Sequence, residues 1–245
     1  MSKAIYRKIY KNCTRIFARF ALPFAPICST IDKAVCKGDL MYKPIPKCKL
    51  PPIRRTKGNI FMNKAVAVVG MCGSGKSVVA DYFVELGWQR VYFGGVTVNE
   101  LKRQGITVNE ANERIMREGL RKQYGMGAYA VLLKDEIVDK LQHGNVVLDG
   151  LYSWSEYKIL HEALGDHLVV LAIVTNTDIR KQRLACREVR PLTAEQVDSR
   201  DQAEIENLEK GGPIAKADYY IINNGNCEQL AAQLADFMSC VNSLK

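Results

Sequence analysis

No two of the eight cysteines form a C-x-x-C pair; they stand at positions 13, 28, 36, 48, 72, 186, 227 and 240 of 245 residues. That spacing excludes the common zinc modules and dithiol redox motifs. No run of about 18 apolar residues occurs, so no membrane-spanning helix is expected. The three histidines, His143, His161 and His167, are scattered and read as surface or structural groups. Proline is scarce outside residues 1–61, which hold six of the eight. Acid is scarce inside them: residues 1–61 carry 14 of the 35 Lys/Arg but 2 of the 26 Asp/Glu. That stretch therefore has a net charge of +12, while the remainder nets −3 and the whole chain +9. The basic excess lies outside residues 62–245, and charge gives a nucleic-acid role there no support.

The chain divides accordingly into a basic, proline-containing extension, 1–61, expected to be poorly ordered or not native, and a domain spanning 62–245. Within the extension, Arg7, Lys11, Arg15 and Arg19 recur every four residues, and Ile5, Ile9, Ile16 and Phe20 fall on another face. A helix over 4–22 is thus basic and amphipathic. Three readings stay open: an organelle-targeting presequence, a segment lying on an anionic membrane surface (contact through 1–22), or a leader that follows from a wrongly chosen start codon, with Met62 as the natural start.

The strongest signal lies next. Gly70-Met71-Cys72-Gly73-Ser74-Gly75-Lys76-Ser77 reads G-x-x-x-x-G-K-[ST], preceded by the apolar strand Ala65–Val69 and followed by a helical run from Val78. Strand, glycine loop and helix together define a phosphate-binding loop. Glycines let successive amides turn inward around an anion, and the helix N-terminus adds its dipole. Lys76 is expected to reach the β- and γ-phosphates as a point charge, and Ser77 to ligate Mg²⁺. Cys72 reads as a small filler residue. The expected ligand is a nucleoside triphosphate, ATP with Mg²⁺, and an ATP-type loop points to the cytoplasm.

Strands are read at 65–70, 89–93, 145–149, 167–175 and 219–222. Helices are read at 76–87, 96–104, 108–123, 128–142, 153–164, 177–187, 193–209 and 227–243. Gly94-Gly95 is read as a chain break, and Thr107 to Glu110 as a capping box. Apolar strands alternating with helices mean an α/β fold: a five-stranded parallel sheet sandwiched by helices, its ligand at the carboxyl ends of the strands. Asp149 lies at such an end and is expected beside Mg²⁺ or orienting an acceptor; it is followed by Gly150, not by a second acid. Arg180, Arg183 and Arg187 share a helix face after the fourth strand, and Arg190 follows. Guanidinium groups on a closing lid suit charge spread over a transferring phosphoryl group. Arg117 and Arg121 are candidates for an acceptor phosphate. Thr175-Asn176-Thr177-Asp178 lacks the lysine of a guanine-reading motif.

With these residues, the chain resembles the nucleotide-kinase branch of P-loop NTPases. It is similar to dephospho-coenzyme A kinase and more so to a mostly archaeal, dephospho-coenzyme A kinase-like family of unassigned substrate. The resemblance runs from Lys64 to about Val241. Its carriers are Gly70–Ser77, Gly94-Gly95-Val96, Arg117–Ala130, Leu148-Asp149-Gly150, Arg183 with Arg187, Arg200-Asp201, and Ala217–Asn224. It implies an acceptor-binding insertion after the second strand, here 95–124, an Arg-bearing lid after the fourth, and transfer from ATP to a small nucleotide-like acceptor. Lys76, Asp149, Arg183 and Arg187 are the implied catalytic groups. Two departures stand out: relatives carry an Asp at the position of Gly95, and an Arg shortly after Asp149-Gly150, where this chain has Leu151-Tyr152-Ser153. A nucleotide-binding regulator or slow NTPase without a small acceptor is therefore the alternative expectation.

Overall fold

The computed structural model describes residues 63–188 and 190–243; the readings made for residues 1–61 lie outside the described residues. Strand β1 (Ala65–Val69) leads through the glycine loop into α1 (Lys76–Glu85), and β2 (Gln89–Tyr92) follows. Helices α2 (Phe93–Arg103), α3 (Glu110–Tyr124) and α4 (Ala128–His143) intervene before β3 (Val146–Asp149) and α5 (Trp154–Leu164). Strand β4 (Leu168–Val174) precedes α6 (Thr177–Ala185), α7 (Ala194–Glu206) and the short α8 (Gly211–Ala215). Strand β5 (Tyr219–Ile222) and α9 (Cys227–Ser243) end the order.

The five strands are all parallel, in the order β2-β3-β1-β4-β5. The α/β sandwich read from the apolar strands is the observed fold. Residues of β1 alternate between two cores, as a pleat requires. Ala65, Ala67 and Val69 pack with Leu148, Val170 and Ala172 against Tyr129, Leu133 and Ile137 of α4 and Leu160 of α5. Val66 and Val68 pack with Val147, Val169 and Leu171 against Val79 and Phe83 of α1 and Leu234 and Phe237 of α9. β1 is central, with β3 on one side and β4 on the other, so the chain reverses its winding at the end of β1. A ligand crevice opens at such a switch point, and the glycine loop occupies it.

Three local readings are corrected. Gly94-Gly95 does not break the chain: α2 begins at Phe93 and runs through both glycines. Phe93, Thr97 and Leu101, four residues apart, are buried along one stripe, and that burial outweighs the cost of glycine in a first turn. The cap of α3 is Asn109, whose side chain accepts from the Asn112 amide at 2.9 Å, rather than Thr107. Helix α7 stops at Glu206, and α8 was not anticipated. The capping boxes of α5 (Ser153 with Glu156) and α7 (Thr193 with Gln196) are both formed.

Candidate functional site

The loop from Gly70 to Gly75 has no room for side chains where it turns. A Cβ on Gly70 (φ 144°) would lie 2.4 Å from the Ile173 carbonyl oxygen, and one on Gly75 (φ 100°) 2.4 Å from Asn223 Nδ2. Neighbouring elements hold its carbonyls from behind. Asn223 Nδ2 donates to Ser74 O at 2.8 Å, Thr175 Oγ1 to the same oxygen at 3.2 Å, and Arg180 Nη1 to Cys72 O at 3.1 Å. Arg180 is itself buried and bidentate on Asp201 of α7, at 2.9 and 2.5 Å. The first amides of α1 have no acceptor within the helix and are free for an anion. Cys72 is a buried free thiol packed with Leu184 and Val197, the filler role read from sequence.

Lys76 Nζ donates to the Met71 carbonyl at 2.8 Å, folding back over the loop. Burial, and then the charge of Lys210, lower its pKa to about 7, against the opposing pull of Glu204, Cys72 and Asp149. Ser77 is exposed at the start of α1. Asp149 is buried at the end of β3, and strand alternation places it with Val147 on the α1 side of the sheet, the side of Ser77. Its Oδ2 pairs with Arg90 Nη2, while Arg90 Nη1 bonds Asp81 Oδ1 at 2.7 Å. A serine hydroxyl and one carboxylate suit Mg²⁺, which takes few protein ligands and completes its shell with water and phosphate. Among the described residues no group of three or more His, Cys, Asp or Glu forms a metal cage.

The predicted lid arginines diverge. Arg183 is half-buried, its Nη2 3.5 Å from Gly225 O and its Nη1 buried without a partner; burial lowers its pKa. Arg187, past the end of α6, is exposed. Arg190 (φ 56°) pairs with Glu113 at 2.8 Å and Glu110 at 3.6 Å. Arg117 engages the same acids, at 3.4 and 3.0 Å. Arg121 lies 5.6 Å from the Tyr129 ring centroid, with its Nε buried and unpartnered. Beside the missing acceptor acid, Tyr92 covers the glycines: a Cβ on Gly94 would meet Tyr92 Oη at 2.4 Å.

Lys210 and Glu204 were not singled out in the sequence; Arg200, one of the residues that carried the resemblance, joins them. Lys210, between α7 and α8, is 1% exposed and donates to Glu204 Oε2 at 2.6 Å. Arg200 Nε donates to Glu204 Oε1 at 3.0 Å. The ammonium of Lys210 lies 5.2 Å from the Tyr152 ring centroid, and burial raises the Tyr152 pKa well above its usual value. The four-residue spacing of Arg200 and Glu204 was visible; Lys210 carried no signal. Asn223, within a segment that carried the resemblance, proves to brace the loop, and Asp218 of the same segment accepts from Val170 N at 2.7 Å, tying β5 to β4.

Sheet order, glycine loop and Lys76 define an α/β protein with a phosphate-binding loop. The chain is 31% identical over 173 residues to a UPF0200 protein of Thermococcus kodakarensis, covering 69% of this chain and 93% of the relative. It is 36% identical over 168 residues to a UPF0200 protein of Aeropyrum pernix, covering 67% and 87%. The chain belongs to the UPF0200 family. No family model matches it. Among solved structures, shikimate kinase from Acinetobacter baumannii aligns over 75% of this chain and 96% of that one, with a TM-score of 0.47 at 17% identity. Among the described residues, no helix is long and apolar enough to cross a membrane.

Proposed function

We propose that this protein is an ATP-dependent phosphotransferase of the nucleoside monophosphate or dephospho-coenzyme A kinase type. The observation that carries the reading is a backbone cradle at the sheet's switch point whose Gly70, Gly73 and Gly75 leave no room for a Cβ and which has the Lys76 side chain folded across it. The proposed roles are those of a phosphoryl-transfer site. The amides of Gly73 to Ser77 hold the β-phosphate, and Lys76 leaves the Met71 carbonyl for the phosphate oxygens. Ser77 and Asp149 hold Mg²⁺, which neutralises charge on the phosphates when bound. Arg183 and Arg187 approach from the lid side. The acceptor, a nucleotide-like alcohol or phosphate, occupies the 95–124 region, with Arg117 and Arg121 toward its anionic end. Rate enhancement comes from positioning and charge stabilisation. The reading also takes 62–245 as the working unit, 1–61 as an extension, and the cytoplasm as the setting.

A coupled ADP-release assay across nucleoside monophosphates and dephospho-coenzyme A tests it. The expected result is acceptor-dependent turnover with wild type that Lys76→Ala reduces by at least about 10²-fold. Equal background rates for both proteins across every acceptor would count against transfer.

The alternative, a nucleotide-binding regulator or slow NTPase, draws on the acceptor side. Tyr92 covers the glycines there, and Arg117 is already paired with Glu110 and Glu113. Slow hydrolysis that no acceptor stimulates is its signature.

A further inference from the structure

A single guanidinium joins two carboxylates beside the glycine loop. Arg90 of β2 donates from Nη2 to Asp149 Oδ2 and from Nη1 to Asp81 Oδ1, the latter at 2.7 Å. The two acids differ in their access to water: the Asp149 side chain is 8% exposed and that of Asp81 63%. Both belong to elements that frame the loop. Asp149 pairs in register with Val68 of β1, two residues before Gly70. Asp81 stands four residues after Ser77 on α1, one turn along the same helix face. The Arg90 guanidinium carbon also lies 5.8 Å from the Tyr92 ring centroid.

A buried carboxylate needs a positive partner, and Arg90 supplies it for Asp149. In the proposed function the same carboxylate also serves Mg²⁺. Two cations on one carboxylate repel each other at short range. The guanidinium has a second partner within reach. Asp81 takes one of its five N–H donors, and an arginine fork can engage a carboxylate with two. Arg90 is partly exposed, and Asp81 lies on its solvent side.

We infer that Arg90 is an exchangeable counter-ion: it neutralises Asp149 in the metal-free protein and shifts onto Asp81 when Asp149 turns to Mg²⁺. The inference rests on the proposed reading of Ser77 and Asp149 as the Mg²⁺ ligands, and it describes how that site is regulated. Arg90 and Asp81 are positioning residues; neither touches the nucleotide. Their effects have opposite signs. Loss of Arg90 removes a competitor for Asp149. Loss of Asp81 leaves Arg90 on Asp149. A guanidinium that only holds Asp149 in place predicts the reverse for Arg90, since a misplaced carboxylate serves the metal less well.

The test is calorimetry on the full chain with a non-hydrolysable ATP analogue, once with Mg²⁺ and once with a chelator. With Mg²⁺, Arg90→Gln is expected to bind the analogue about threefold more tightly than wild type, and Asp81→Asn about threefold more weakly. Both signs run against the plain effect of charge on an anionic ligand, which is the effect expected with the chelator. In the double variant the Asp81 effect is expected to vanish, because it acts through Arg90. Unchanged or weaker binding by Arg90→Gln with Mg²⁺ overturns the exchange. So does an Asp81→Asn loss that persists in the double variant, which means that Asp81 attracts the metal directly. Arg90 is partly buried and its variant can fail to fold. Asp81→Asn, at an exposed position, then decides alone, and unchanged or tighter binding with Mg²⁺ overturns the inference. Failure of the underlying reading looks different: wild type itself binds the analogue no better with Mg²⁺ than with the chelator, and the inference falls with it.

Discussion

Glu156 has two jobs that pull its proton in opposite directions. As the third residue of α5 its Oε2 accepts from the amides of Tyr152 at 2.7 Å and Ser153 at 3.0 Å, which favours the charged form. Its side chain is fully buried, with Oε1 lacking any partner, which favours the neutral form. Burial wins, and the pKa rises from 4.5 to about 7. The unfolded chain therefore releases this proton first. Between pH 4.5 and 7 the folded state binds more protons than the unfolded one, so this group's contribution to stability falls as pH rises through that window, by about 3 kcal/mol in all. Glu156→Gln keeps an acceptor for the capping box and removes the titration. Denaturant midpoints at pH 5 and pH 7.5 are expected to show the variant gaining on wild type as pH rises. Parallel pH curves for the two proteins would mean the carboxyl is already ionised when folded.

Helices α6 and α7 meet through one buried pair. Arg180 bridges Asp201, the Cys72 carbonyl and Thr177 Oγ1, so the same guanidinium closes the lid base and steadies the phosphate loop. Removing one partner of a buried pair strands the other charge. Arg180→Met is expected to cost about 3–5 kcal/mol in chemical unfolding, and Arg180→Met with Asp201→Leu to recover much of that loss. If the double variant is no more stable than the single one, the pair is not what the loss measures. Strands were legible because Ala65–Val69 and Leu168–Val174 are apolar on both faces, a pattern only a covered parallel sheet satisfies. The glycine loop was legible because no other residue type fits it. The arginines of α6 were legible as a basic face, but their separate fates were not. Arg180 turns inward to Asp201, Arg183 toward Gly225, and Arg187 to solvent, according to packing that spacing alone does not encode. Lys210 was silent for the same reason: a buried lysine is recognised by the carboxylate that meets it, and Glu204 meets it only once α7 and α8 have folded onto the loop. Gly94-Gly95 misled because local propensity gave way to the buried stripe of Phe93, Thr97 and Leu101.

Across the whole molecule, the lid and the insertion touch through a charge network with one exposed and one buried acid. Arg190 and Arg117 share Glu110 and Glu113; Arg190 is 57% exposed and Glu110 67%, while Glu113 is 11% exposed. The exposed Arg190–Glu110 pair contributes about 0–1 kcal/mol and weakens with salt. Binding to the folded state alone stabilises by mass action, about 2.7 kcal/mol with ligand at 100 times its dissociation constant. For a unit of roughly this size that corresponds to a rise in Tm of about 5–10 °C. Thermal unfolding with saturating Mg²⁺ and ATP is expected to show that rise in wild type and to lose it in Lys76→Ala. Repeating the scan in 0.5 M salt separates the two contributions: the exposed latch is screened and the baseline Tm falls slightly, while the enclosed phosphate site keeps most of its shift. A ligand-induced shift that survives Lys76→Ala unchanged would place the nucleotide somewhere other than the glycine loop.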